Sequence, residues 1–152
     1  MLERMNKGIT AARAERVIRN CGKADVNFKL FVIMGQPGET LDDGWETRRF
    51  LQRISPVLKD PHNSFEINLF HLDAFSCFGK NLERFGITLP EQNRGEFYLG
   101  SPNFSCPGGM DKKTLHQFIR QTQEELACLT GMQAKHSGWE EYGLLCACKV
   151  KP

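Results

Sequence analysis

Apolar residues recur along the chain at two periods, and these divide it into elements. Ala14, Val17, Ile18 and Cys21 are spaced by three and four, which puts them on one helical face. Thr10 is placed to cap that helix and Gly22 to end it, so a helix is expected from Thr10 to about Cys21. The run Phe28-Lys29-Leu30-Phe31-Val32-Ile33-Met34 is apolar on both faces, as in a strand of a parallel sheet covered on both sides. Leu41, Trp45, Phe50, Leu51 and Ile54 then form a second helical stripe from Thr40 to about Ile54, which Pro56 is expected to stop. After the turn residues Asp60-Pro61-His62-Asn63, the segment Phe65 to Leu72 alternates: Phe65, Ile67 and Leu69 on one face, Glu66, Asn68 and Phe70 on the other. A last helix opens at Asp111 with Leu115, Phe118, Ile119, Thr122, Leu126 and Leu129 in one stripe, and Gly131 ends it.

Strand, helix and strand in that order make a βαβ unit, so an α/β fold with parallel pairing and a right-handed crossover is expected. The hexapeptide Gly35-Gln36-Pro37-Gly38-Glu39-Thr40 lies where the first strand hands over to the helix. Its glycines permit a sharp turn and a close approach of backbone to a ligand, and Thr40 with Asp43 forms a capping-box-like pair. The carboxyl ends of strands are where α/β proteins usually hold ligands, although most such turns only connect elements. Glu39 is open to two readings, a helix-start residue favouring the dipole or a ligand-positioning group. Asp73 is equally open between capping a turn and orienting a substrate. His71 reads as a packing residue at a strand end, within reach of a ligand at that end. Glu66 and Asn68 would line either a polar cavity or a solvated face.

Asp73 to Met110 shows no regular element and is rich in aromatics and glycine, which in a compact domain points to a functional or docked loop. The tail with Trp139, Tyr142 and Leu144-Leu145-Cys146-Ala147-Cys148 reads as one short final element.

Composition narrows the class. The chain has 152 residues, 40% hydrophobic and 25% charged, enough for one domain with a real core. A net charge of +2 without a long basic run gives no reason to expect nucleic acid; Lys7, Arg13 and Arg16 read as a solvated helix face. No apolar stretch is long enough to span a membrane and the start lacks a signal-peptide core, so a cytoplasmic location is expected. The six cysteines are then reduced thiols. Cys21 and Cys128 fall on apolar helix faces as core residues, Cys77 and Cys106 lie in the long loop as the one pair worth testing for a ligand, and the absence of a CxxC pair argues against a metal site.

The order Met5-Asn6-Lys7-Gly8-Ile9-Thr10, helix, Leu30-Phe31-Val32-Ile33-Met34-Gly35-Gln36-Pro37-Gly38-Glu39-Thr40, helix, Ile67-Asn68-Leu69-Phe70 resembles the second half of the radical S-adenosylmethionine core. The similar members are those that often carry a cobalamin-binding domain. The resemblance implies a partial (β/α) barrel of TIM type over residues 1–86, with residues 87–152 forming a loop, helix and tail packed on it. It places Ile33, Met34 and Gly35, with Leu69, Phe70 and His71, on the adenine side of an S-adenosylmethionine site. The family's CxxxCxxC triplet, which holds a [4Fe-4S] cluster, does not occur here. The resemblance therefore implies a carboxyl-terminal piece that is inactive alone and needs the complementary half-barrel or self-association. The alternative is a non-catalytic α/β module that binds a nucleotide or a protein.

Overall fold

A computed structural model of the chain describes residues 2, 3, 5, 7–91 and 103–131; the expected final element around Trp139 and Tyr142 lies outside them. The described part is mixed α/β. Helix α1 spans Ala11–Lys23, strand β1 Lys29–Met34, helix α2 Leu41–Leu58, strand β2 Ser64–Leu69, the short helix α3 Cys77–Lys80 and helix α4 Lys112–Thr130. The two strands pair in parallel in register from Lys29↔Ser64 to Met34↔Leu69. The ladder reaches one step further at each end, where Ser64 N donates to Phe28 O and Phe70 N to Met34 O.

Caps set the starts of the helices. Thr10 accepts from Arg13 N, Thr40 and Asp43 form a reciprocal capping box, and Asp111 accepts from Thr114 N. The ends are set by packing, and two sequence expectations are corrected there. Gly22 does not end α1 but lies inside it, because a Cβ at that position would meet Val57 Cγ1 at 2.7 Å; the glycine is a notch in which α2 rests. Pro56 does not stop α2, which runs on to Leu58. Proline forfeits one hydrogen bond near the helix end, while Ile54, Ser55 and Leu58 continue into the core. Strand β2 is also shorter than expected: β1 turns away at Gly35, so nothing remains for residues past Phe70 to pair with.

Helices α1, α2 and α4 supply the core against one face of the sheet. Ile18, Met34, Leu51, Ile54, Leu58, Ile67, Leu115, Phe118, Ile119 and Leu126 form it, flanked by Leu30, Val32 and Phe65. The expectation that β1 is covered on both sides is therefore corrected. Its odd-numbered side chains, Lys29, Phe31 and Ile33, stand on the other face with Ser64, Glu66 and Asn68 of β2, and Phe31 is 61% exposed. On that face Lys29 Nζ pairs with Glu66 at 2.9 Å and sits 4.7 Å from the Phe31 ring centroid.

Four apolar residues expected in helical stripes, Val17, Leu41, Trp45 and Leu129, are exposed, and Thr130 is buried in place of Leu129. Cys128, expected in the core, is exposed, whereas Cys21 is half-buried. α4 is joined to α2 by Arg48 and Gln52, which both engage Glu125, and by Trp45 packed edge-on against Phe118 at 5.1 Å.

Candidate functional site at the carboxyl ends of the strands

The turn after β1 is built around one carboxylate. Glu39 is buried, and its Oε2 accepts from Gly35 N at 2.6 Å and from Gln36 N at 3.0 Å. Its own carbonyl accepts from Met110 N at 2.8 Å, so one residue ties the turn to the chain entering α4. The two readings open in the sequence are thereby replaced by a third: Glu39 is the internal brace of the turn. Thr40 and Asp43 already complete the helix cap, and Glu39 is a carboxylate beyond what capping requires. Gln36 Oε1 is buried with no hydrogen-bond partner among the described residues.

Gly35 and Gly38 have φ of 87° and 73°, as the sharp turn requires. The space beside Gly35 is occupied by protein. A Cβ there would lie 2.4 Å from Leu115 Cδ2, so Gly35 receives α4. A Cβ at Gly109 would come within 3.4 Å of the Gly38 backbone, and one at Gly44 within 3.3 Å of Met110 Cε, so the segment before α4 lies close over the turn and the start of α2. Residues 103–110 thus form a strap across the strand ends.

The strap also holds the loop after β2, which is more ordered than its sequence suggests. Ser105 bridges to Thr88, the Cys106 thiol donates to Phe85 O, and the Phe104 ring lies edge-on to Phe70 at 5.9 Å. Phe70 further contacts Phe78 at 5.3 Å, and Phe78 contacts Phe85 at 4.5 Å. Asp73 caps its own turn, its Oδ1 accepting from Phe75 N at 2.6 Å and its carbonyl from Ser76. Cys77 is exposed and Cys106 is engaged with Phe85; among the described residues no three His, Cys, Asp or Glu side chains gather as a metal site would require.

The six residues expected on the adenine side separate by chemistry. Ile33 and Phe70 present side chains on the open face, since the ladder carries the alternation of β2 through Phe70. Met34 is fully buried and offers only main chain, and its carbonyl is taken by Phe70 N. Gly35 has its N–H on Glu39. Leu69 belongs by parity to the helix-covered face, although it is 38% exposed, and His71 is exposed beyond the end of β2.

Burial pushes the Glu39 carboxyl above the ordinary glutamate range, opposed by the N–H groups of Gln36 and Gly35 and reinforced by the nearby Asp43 charge. A folded-state value above the unfolded one means that, between the two, the folded chain holds a proton the unfolded chain has lost. Stability is therefore expected to fall as pH rises through that window and to level off above it. Glu39→Gln should lack this slope. Denaturant midpoints of both proteins, from neutral pH down to the ordinary glutamate value, check the difference; parallel curves would refute it.

The fold is thus that of a parallel βαβ unit with one helical layer and a braced turn at the carboxyl end of β1. Comparison with models of known protein families, with curated proteins and with solved structures returns no match. No helix among the described residues is long and apolar enough to cross a membrane.

Proposed function

We propose that this chain is the carboxyl-terminal portion of a radical S-adenosylmethionine core, a partial (β/α) barrel that contributes the adenine side of the S-adenosylmethionine site. The observation that carries this reading is the pairing of a one-sided helical layer with an open inner sheet face. A barrel wall has helices outside and an inward face that meets the rest of the wall. Phe31 and Ile33 on this face are 61% and 38% exposed, so covering what remains would contribute on the order of 1 kcal/mol each, a fraction of the roughly 1.5–3 kcal/mol for complete burial.

The backbone supports the same reading. Even-numbered residues of β1 exchange hydrogen bonds with β2, so the N–H and C=O groups of Lys29, Phe31 and Ile33 point to an edge that no other described strand covers. An uncovered edge beside exposed apolar side chains is a template for another strand. The missing half-barrel is its natural occupant, with self-association as the substitute when that half is lacking. Alone, the chain is expected to associate with itself and to exchange the Phe31 and Ile33 amides rapidly. A monomer by light scattering with those amides protected would contradict the reading.

The cysteines do not fit the family's [4Fe-4S] cluster. Among those described, Cys21 is on α1, Cys106 is held by Phe85, and Cys77 and Cys128 are solitary on the surface. No cleavage chemistry is assigned to this chain, whose part is to bind and orient the base. The test is anaerobic reconstitution with iron and sulfide, of the chain alone and of the chain co-produced with the coding region upstream. A cluster formed only in the second case, with a CxxxCxxC sequence in that region, supports the proposal. A cluster on the lone chain overturns it, and so does an unrelated upstream gene, which would leave a non-catalytic binding module.

A further inference from the structure

We infer that residues 144–150 dock as a third, parallel strand along the free edge of β2, so that the chain closes that edge itself and keeps β1 as its open one. The inference goes beyond the adenine-side reading and holds with or without it. Even-numbered residues of β2 bond to β1, with Ser64 N donating to Phe28 O and Phe70 N to Met34 O. The N–H and C=O groups of Phe65, Ile67 and Leu69 therefore point to the opposite edge, where no other described strand lies. Cover on the helical side also thins towards that edge. Met34 and Leu69 are register partners on the helix-covered face, yet Met34 is fully buried and Leu69 is 38% exposed.

Helix α4 delivers the chain to this edge. α2 meets α1 through Arg53 and Val57 and meets α4 through Trp45, Arg48 and Gln52, on opposite flanks, so the helices lie side by side in the order α1, α2, α4. A right-handed crossover from β1 to β2 turns the α4 flank of α2 towards β2. Phe118 lies at Trp45 and Glu125 at Arg48 and Gln52, so α4 runs in the direction of α2, against the strands, and Gly131 ends it towards their amino ends. A strand that follows with the same crossover on the same face falls beyond β2 and parallel to it.

Residues 144–150 lie outside the described part and carry the sequence pattern such a strand needs. Leu144, Cys146, Cys148 and Val150 alternate with Leu145, Ala147 and Lys149. The wholly apolar set suits the face under α4, and the set with Lys149 suits the open face, where Glu66 and Asn68 stand. Extended at about 3.3 Å per residue, the run covers roughly 23 Å, enough to lie along the six residues of β2. On β2 the open-face residues are the ones that bond back to β1; by the same geometry Leu145, Ala147 and Lys149 bond back to β2. With that edge filled, strand addition from outside is confined to β1. A contact from β1 of one copy to β2 of the next, which would propagate as an open array, is excluded.

The test is amide hydrogen exchange on the full chain, read by NMR at a low and a high protein concentration. The Phe65, Ile67 and Leu69 amides are expected to exchange at least about a hundred-fold more slowly than in an unstructured chain, at both concentrations, and to show nuclear Overhauser contacts to residues 144–150. Ala147→Pro removes an N–H from the new ladder and should cut this protection at least about ten-fold, while the Leu30, Val32 and Met34 amides stay protected. If Ala147→Pro does not fold, the contacts in the unsubstituted chain decide alone. Free exchange at Phe65, Ile67 and Leu69 in the unsubstituted chain overturns the inference. So does protection that fades on dilution, which would make the occupant a second copy, and so do contacts of residues 144–150 to Phe31 and Ile33 instead.

Discussion

Gly35→Ala is expected to destabilise the chain by about 3 kcal/mol, combining roughly 1–2 kcal/mol for a left-handed backbone in a residue with a Cβ and typically 1–3 kcal/mol for overpacking. Both costs arise at one atom. The φ of 87° disfavours any side chain, and the new methyl would sit 2.4 Å from Leu115 Cδ2 on a helix anchored by its own cap. The two contributions separate in a double-mutant cycle. Leu115→Ala alone should cost about 2–4 kcal/mol, as for a buried leucine. In Gly35→Ala/Leu115→Ala the clash is gone and the backbone strain remains, so the double variant should lose at least about 1 kcal/mol less than the sum of the singles. Urea midpoints with unchanged slope measure all three. Additive losses would show that Gly35 is required by its backbone angle alone.

Glu39→Ala is the second large effect, expected at about 2–4 kcal/mol, because each unsatisfied buried donor costs roughly 1–3 kcal/mol and two N–H groups lose their acceptor together. The relief of no longer burying a carboxyl offsets part of that loss, which keeps the figure below the simple sum. Glu39→Gln retains an oxygen in the same place and should recover at least half of the difference. Hydrogen exchange gives an independent readout, since the Gly35 and Gln36 amides should lose protection in Glu39→Ala ahead of the core. A loss smaller than about 1 kcal/mol with both amides still protected would mean that the turn holds itself and that Glu39 is incidental.

These two residues also show how far the sequence reached. Gly35 is legible as a turn glycine because positive φ is a local requirement. Its second role, admitting Leu115, involves a residue 80 positions later that no local pattern connects to it. Glu39 reads equally as a dipole residue and as a ligand-positioning group. The available signal was its redundancy: Thr40 and Asp43 complete the capping box, so an additional acid before the cap, inside an apolar turn, has to bond something else. Phe104 gave no signal at all, since its meaning comes from lying on Phe70 across the strap. Simple alternation is enough to place Asn68 on the face it occupies.

The helix starts, the parallel βαβ order and the two faces of β2 follow from interactions within a few residues: side-chain oxygens capping nearby N–H groups, and alternation along an extended backbone. The sequence alone was therefore sufficient for them. Helix ends depended on neighbours, with Gly22 a notch for Val57 and Pro56 carried past its usual stop by the burial of Leu58. Coverage was decided only in three dimensions. The Phe28 to Met34 run is apolar on both faces whether or not helices lie on each, and only the tertiary structure, which places α1, α2 and α4 together, leaves Phe31 and Ile33 open beside the candidate site.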